Sequence, residues 1–434
     1  MYLINSTNPF YSEFDTLRKE NLSSAKERVS IRDNFERDFG RIVHSSAFRR
    51  LQSKTQVIGT GEGDFHRTRL THSLEVSQIA RGIATTLNFT DNILKEENKI
   101  DISLIEAAAL AHDLGHPPFG HQGEKALHKS MSKFNLGFEG NAHTFRLLTN
   151  LEGSKGSGLD LTRATLLSIL KYPATIDRLN NEMIVTKPPK TSVFKEDEVA
   201  FEWLLDPFSL EEKEYITSIS EGIENKHKKT LTKTLECSII ELADDIAYAT
   251  HDFQDAVKLN LIRFDDVMDI LRCYKDTVSS RIVVAYTKVL SDTLNDERSK
   301  IKDLFADLIS AFIADIRLSE RNDFPSNRLR YVAQLSEGNL ALLNGLKKLV
   351  EEKVILTQRV QTIEWRGGFV ISNLFNAMFH NELLLPEDDR KNWSNNDEKN
   401  ARIVCDYLAG MTDSFALKMY SRLFESSNGR LFDI

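Results

Sequence analysis

The chain has 434 residues, 41% of them hydrophobic and 28% charged, which excludes a disordered or fibrous protein and leaves room for a large core. Its 56 Lys and Arg against 64 Asp and Glu leave a net charge of −8, which argues against a generally basic nucleic-acid-binding surface. A local basic patch does exist, because residues 41–69 carry six Lys/Arg against two Asp/Glu. Cys237, Cys273 and Cys405 are far apart and form no CxxC pair, so reduced thiols are expected. The first ten residues are polar and lack the apolar stretch of a signal peptide, and no apolar run is long enough to span a membrane. A soluble, cytoplasmic protein is the expectation.

In chain order, residues 1–30 are polar and mixed, an N-terminal arm. Asp33 and Asn34 can cap a helix whose Phe35, Phe39, Ile42 and Val43 form an apolar stripe. Residues 55–58 are short and β-branched and run into the glycine-rich turn 59–64, a short hairpin at most. Leu74, Ile79, Ile83 and Leu87 mark the inner face of a helix starting near Thr71. Residues 104–110 predict an apolar, alanine-rich helix that Gly115, Pro117 and Pro118 cannot continue. A new helix is expected to start at 120–122, with others near 141–150 and 162–171. Residues 187–228 are charged, contain Pro188, Pro189 and Pro207, and are expected to leave the main body as a lid or an oligomer contact. One long helix is expected over 230–261, followed by helical patterns over 264–290, 298–318, 338–360, 368–384 and 397–424. Long amphipathic windows outnumber alternating ones, so the expected fold class is all-α. The divisions are an arm (1–30), a helical core (31–325) and a C-terminal helical region (326–434), with the boundary at the Pro325 loop.

Chemistry concentrates in residues 111–124, which hold His112, Asp113, His116, His121 and Glu124. Burying so many ionisable groups beside an apolar helix is costly unless a metal or partner compensates; a solvated turn with incidental histidines is the alternative. His72 opens a helix whose other inward positions are apolar, and Asp244 lies inside an apolar helical stripe, where unpaired charge is rarely tolerated. Two imidazoles and two carboxylates from three helices would make a mixed N/O site suited to Mn²⁺, Fe²⁺, Mg²⁺, Zn²⁺ or Co²⁺, with positions open to water and substrate. Buried ion pairs are the alternative for His72 and Asp244. Glu124 lies three residues after His121, so on a helix it can orient the imidazole and raise its basicity, as acid–base work requires. A helix-start histidine beside a surface glutamate would look the same.

Longer blocks narrow these alternatives. Arg49-Arg50-Leu51-Gln52-Ser53-Lys54-Thr55-Gln56, Arg67-Thr68-Arg69-Leu70-Thr71-His72-Ser73-Leu74-Glu75, His112-Asp113-Leu114-Gly115-His116-Pro117-Pro118-Phe119-Gly120-His121 and Leu242-Ala243-Asp244-Asp245-Ile246-Ala247-Tyr248 stand in one order. Together they resemble the HD-domain metal-dependent phosphohydrolases, and within them the deoxynucleoside triphosphate triphosphohydrolases of the dGTPase type. Ile363-Glu364-Trp365-Arg366-Gly367-Gly368 looks like a C-terminal element of the same family. The resemblance makes residues 31–325 an HD-domain catalytic core.

The resemblance implies one divalent metal on His72, His112, Asp113 and Asp244, with Mg²⁺ or Mn²⁺ foremost and Fe, Co, Zn or Ni as alternatives. Asp244 is preferred to Asp245 because the family spaces its ligand four residues before a tyrosine, here Tyr248. The resemblance also sets Tyr248 against the sugar, Gln56 and Asp252 near the 3′-hydroxyl, and the His121–Glu124 pair near the scissile bond. Arg69, His116 and Lys171 are the phosphate candidates, since a triphosphate needs several convergent cations. His66 and His143 lie close enough to the motifs to support them.

The implied reaction converts a deoxynucleoside triphosphate, dGTP foremost, to the deoxynucleoside and inorganic tripolyphosphate. Implied partners are the dNTP substrate, a second dNTP as activator in some members, and further copies in a ring-like homo-oligomer, often a hexamer. Two rival readings share the ligand set. One is an HD phosphodiesterase or guanosine tetraphosphate hydrolase, against which the Gln56 block and the Tyr248 spacing speak. The other is a nucleotide-sensing or single-stranded-DNA-binding module with vestigial hydrolysis, against which the full ligand set and the His121–Glu124 pair speak.

Overall fold

The computed structural model describes residues 8–20, 32–56, 67–94, 97–153, 156–181, 183–184 and 187–425. The fold is all-α. Its only sheet among the described residues pairs β1 (Arg317–Glu320) with β2 (Tyr331–Gln334), antiparallel, with Arg317 opposite Gln334. Of the hairpin-like element expected at 55–64, residues 57–64 lie outside the described residues, and Thr55 makes an isolated antiparallel bridge with Thr68. No described helix is long and apolar enough to cross a membrane. All three cysteines are free, and only Cys273 is exposed.

The first core forms around helix Ile102–Ala111, whose alanines keep it thin enough for helices Asn34–Val43 and Arg69–Thr90 to pack closely against it. Asp33 and Glu36 close a capping box at the start of Asn34–Val43, satisfying orphan amides at that end. Along Arg69–Thr90 the buried row is His72, Ser73, Val76, Ile79, Ile83 and Leu87. Leu74, expected in that row, is instead 50% exposed. Five residues separate it from Ile79, about 140° around a helix of 3.6 residues per turn, so it cannot share the stripe. The fourth wall is helix Leu235–Ala247, which continues through a π-helical turn, Tyr248–Asp252, into Phe253–Lys258.

A second core joins helix Gly120–Met131 to three C-terminal helices, Gln358–His380, Asp397–Ala409 and Asp413–Phe424, through Leu127, Met131, Leu374, Phe375 and Leu408. The break expected between residues 360 and 368 falls earlier, at Thr357, and Gly367 and Gly368 remain helical. Residues 187–228 expose most of their charges, apart from the buried Asp197 and Glu212, and bury Val193, Phe194, Phe201, Leu204, Leu205 and Ile216. That stretch lies against the body rather than apart from it, because its dispersed apolar residues have both cores to enter.

Beyond Pro325 the chain returns at once to the first core through Arg328, which is 1% exposed. Its Nε donates to both Glu236 oxygens at 3.0 Å, its Nη1 to Asp15 Oδ1 at 3.1 Å, and its Nη2 to the Ala164 carbonyl at 2.8 Å. Arg328→Ala would strand two buried carboxylates, so a loss of about 3–5 kcal/mol is expected in denaturant titration. A loss below about 1 kcal/mol, the scale of a solvated pair, would show that the cluster is not buried in solution.

Candidate active site

Helix Ile102–Ala111 ends where the chemistry begins. His112 is its C-cap, and Gly115 lets the following turn press against helix Gly140–Arg146, where any Cβ would meet Thr144 N at 2.1 Å. His143 is fully buried and joins its Nδ1 to the Gly115 carbonyl at 3.0 Å, supporting the same turn. His66 lies outside the described residues.

The turn brings His112 and Asp113 beside His72 from helix Arg69–Thr90 and Asp244 from helix Leu235–Ala247. Potential ligand atoms of His72, His112 and Asp113 all lie within 4.8 Å of one another. Asp244 Oδ1 stands 3.1 Å from His72 Nε2 and 3.8 Å from His112 Nε2. His112 Nδ1 donates to the Ala109 carbonyl at 2.7 Å, which leaves Nε2 as a buried lone pair without a hydrogen-bond partner. Burial opposes a charge on His72, but Asp244, Asp252 and Asp113 outweigh it and lift its pKa to about 9. Burial likewise opposes ionisation of Asp244, yet His72, His112 and Lys171 hold its carboxyl below the usual carboxylate range. His72, His112 and Asp113, with Asp244 beside both histidines and the His112 Nε2 otherwise unsatisfied, form a donor set that fits a divalent cation.

Asp245 does not join them. Its Oδ1 meets Lys347 Nζ at 2.5 Å on another side of the helix. Asp113 also anchors its neighbours: Arg69 Nη1 reaches its Oδ2 at 2.6 Å and His116 Nδ1 its Oδ1 at 3.1 Å. Lys171 Nζ lies 3.7 Å from both Asp244 and Glu241. All three phosphate candidates line one cavity of about 1160 Å³ together with the metal cluster.

Helix Gly120–Met131 carries the His121–Glu124 pair, with the His121 ring centroid 6.4 Å from that of His116. His121 Nδ1 lies 3.2 Å from Glu124 Oε2, and its side chain is 66% exposed. Glu124 is buried, and its Oε1 accepts from Gly140 N at 2.9 Å. Burial pushes the Glu124 pKa up, but the His121 hydrogen bond, Lys190 at 3.7 Å and the His116 charge prevail, so the carboxyl stays well below its usual range. With Nδ1–H donating to this carboxylate, the other imidazole nitrogen is the one left for a reacting group.

Gln56 and Tyr248 line the cavity, whereas Asp252 does not. The π-helical turn from Tyr248 to Asp252 bonds i to i+5, so residues four apart no longer stack on one face. Asp252 sits buried with Arg67 Nη1 at 3.5 Å, and burial raises its pKa to about 6. Its Oδ2 and Gln56 Oε1 are both buried acceptors without a donor. Glu364 of the Ile363–Gly368 element also lines the cavity, as do Lys190, Asn141 and Tyr172, none of which was singled out by motif reasoning. Lys190 follows the Pro188-Pro189 pair inside the charged stretch, and only the packing of that stretch brings it to Glu124 and Glu139.

Fold and site together define an HD-domain metal-dependent phosphohydrolase. Residues 69–164 match the HD domain, and residues 333–422 match the phosphohydrolase-associated domain. A deoxyguanosinetriphosphate triphosphohydrolase-like protein of Shewanella loihica is 39% identical over 433 residues, covering 94% of this chain and 96% of its own length. Proteins of the same description from Shewanella halifaxensis and Pasteurella multocida are 38% and 37% identical, covering 94% and 90% of this chain and 95% of each relative. The chain belongs to this deoxyguanosinetriphosphate triphosphohydrolase-like family.

Proposed function

We propose that this protein hydrolyses deoxynucleoside triphosphates, dGTP foremost, to the deoxynucleoside and inorganic tripolyphosphate. The observation that carries the reading is the joint lining of one cavity by the four-residue metal cluster, His121 of the dyad, four cationic or imidazole groups (Arg69, His116, Lys171, Lys190) and Tyr248. A divalent ion held by His72, His112, Asp113 and Asp244, Mg²⁺ or Mn²⁺ foremost, would supply Lewis-acid polarisation of an α-phosphate oxygen. Arg69, His116, Lys171 and Lys190 would hold the triphosphate by charge-assisted hydrogen bonds. His121, oriented by Glu124, would carry the proton between the attacking water and the leaving 5′-oxygen.

Tyr248 would stand against C2′ of the sugar, where a ribose hydroxyl finds no room. One of the two buried acceptors without donors, Gln56 Oε1 or Asp252 Oδ2, would take the proton of the 3′-hydroxyl. Asp252 does not line the cavity, so it would have to turn from the Arg67 pair to reach the sugar. The expected result is a higher kcat/KM for dGTP than for GTP, and a ratio narrowed by roughly 10–200-fold in Tyr248→Ala, the scale of one steric contact in a pocket. Asp252→Asn should weaken dNTP use without admitting ribonucleotides. An unchanged dGTP/GTP ratio in Tyr248→Ala would show that Tyr248 does not gate the sugar.

The test of the reaction is a panel of the four dNTPs, singly and mixed, with Mg²⁺ and with Mn²⁺, assayed for tripolyphosphate. Stimulation only in the mixed arm would reveal an activating second nucleotide. Pyrophosphate or a nucleoside monophosphate in place of tripolyphosphate would overturn the proposed reaction.

A further inference from the structure

The metal cluster hangs from the first core and the dyad helix from the second, so catalysis depends on the register between them. Two of the side chains at that seam bond to the backbone that frames the site. Asp413, the first residue of helix Asp413–Phe424 and 9% exposed, accepts from Thr55 N at 3.0 Å with one oxygen and from Phe119 N at 3.1 Å with the other. Thr55 immediately precedes Gln56, and Phe119 immediately precedes the dyad helix. Helix Asp413–Phe424 has its own cap, since the Thr412 side chain accepts from Phe415 N. The Asp413 carboxylate is therefore not needed there.

Lys54, 3% exposed, donates its Nζ to the His116 carbonyl at 2.5 Å and to the Ala409 carbonyl at 3.0 Å. Its own carbonyl accepts from Arg69 N at 3.1 Å, at the first turn of the His72 helix. Phe119 has φ 61°, a left-handed conformation costly for an aromatic residue and kept only where its surroundings enforce it. Gly367 is one of those surroundings: a Cβ there would lie 2.4 Å from Phe119 Cβ.

We propose that Asp413, assisted by Lys54, is a positioning residue for the reaction, setting the Gln56 segment and the Phe119 turn in register with the metal cluster. The proposal rests on the hydrolytic reading above and makes the C-terminal region part of the active site. It also gives the Ile363–Gly368 motif a task, because Gly367 admits the Phe119 turn.

The test perturbs that turn from two sides in the full-length protein. Asp413→Asn keeps the volume but leaves one acceptor oxygen for two N–H donors. Gly367→Ala favours its helix and alters no group placed at metal or nucleotide, yet pushes on Phe119. Both should lower kcat on dGTP by roughly 10–100-fold, the cost of an ångström-scale misplacement, with KM and metal content little changed. A purely structural role would lower thermal stability and leave kcat per metal-loaded molecule intact, which would overturn the proposal. Should Asp413→Asn fail to fold, Gly367→Ala decides alone. Amide hydrogen exchange without substrate gives a readout separate from activity: in Asp413→Asn, residues 54–56 and 117–121 should lose protection together. Unchanged protection there overturns the proposal. Joint loss alongside a wild type that hydrolyses no dNTP would instead condemn the functional reading.

Discussion

Asp244→Ala is expected to abolish metal retention and nucleotide hydrolysis together, while Asp245→Ala spares both. Asp244 Oδ1 faces His72 and His112 at 3.1 and 3.8 Å and its Oδ2 faces Lys171 at 3.7 Å, so its loss removes the carboxylate that joins two helices across the cluster. Asp245 instead pairs with the partly exposed Lys347, an interaction worth about 1 kcal/mol or less. Asp113→Ala should also lose metal, with a greater loss of stability, because Arg69 and His116 lose their common anchor. Elemental analysis of the purified variants after Mn²⁺ loading and desalting makes the measurement. Full metal content in Asp244→Ala would strike it from the ligand set. The reverse pattern for the doublet would move the ligand by one residue and turn Tyr248 out of register.

His121→Ala should cut kcat by roughly 10²–10⁴-fold with little change in KM, the signature of a lost acid–base group acting in the transition state. The imidazole is largely exposed, so its removal should cost little stability and leave the cavity intact. Glu124→Gln should show a smaller defect of the same kind, since the amide oxygen can still accept from His121 or from Gly140 but carries no charge. Glu124 is held well below the usual carboxylate range, so it stays ionised across working pH and the acid limb of the rate profile should not be its own. Single-turnover rates for both variants would decide; wild-type kcat in both would dismiss the dyad.

The legible parts of this protein are those written in local signals. The apolar stripe behind Asp33, the proline stop after His112, and the His112-Asp113 doublet are local features, and each is where it was expected. Asp244, preferred to Asp245 because the resembling family spaces its ligand four residues before a tyrosine, is the member of the doublet that lies beside His72. What tertiary structure decided depends on partners far away in the chain. The placement of Asp252 off the cavity follows a π-helical turn, Tyr248–Asp252, an adjustment that no 3.6-residue period announces. Residues 187–228 looked separate because charges dominate their composition, yet a handful of buried apolar side chains, Val193 and Phe194 among them, draw them onto the body and deliver Lys190 to the dyad. Asp413 and Lys54 look in sequence like ordinary surface charges. Only the closing of the second core against the first buries them, and burial is what obliges their polar atoms to find the backbone groups that frame the site.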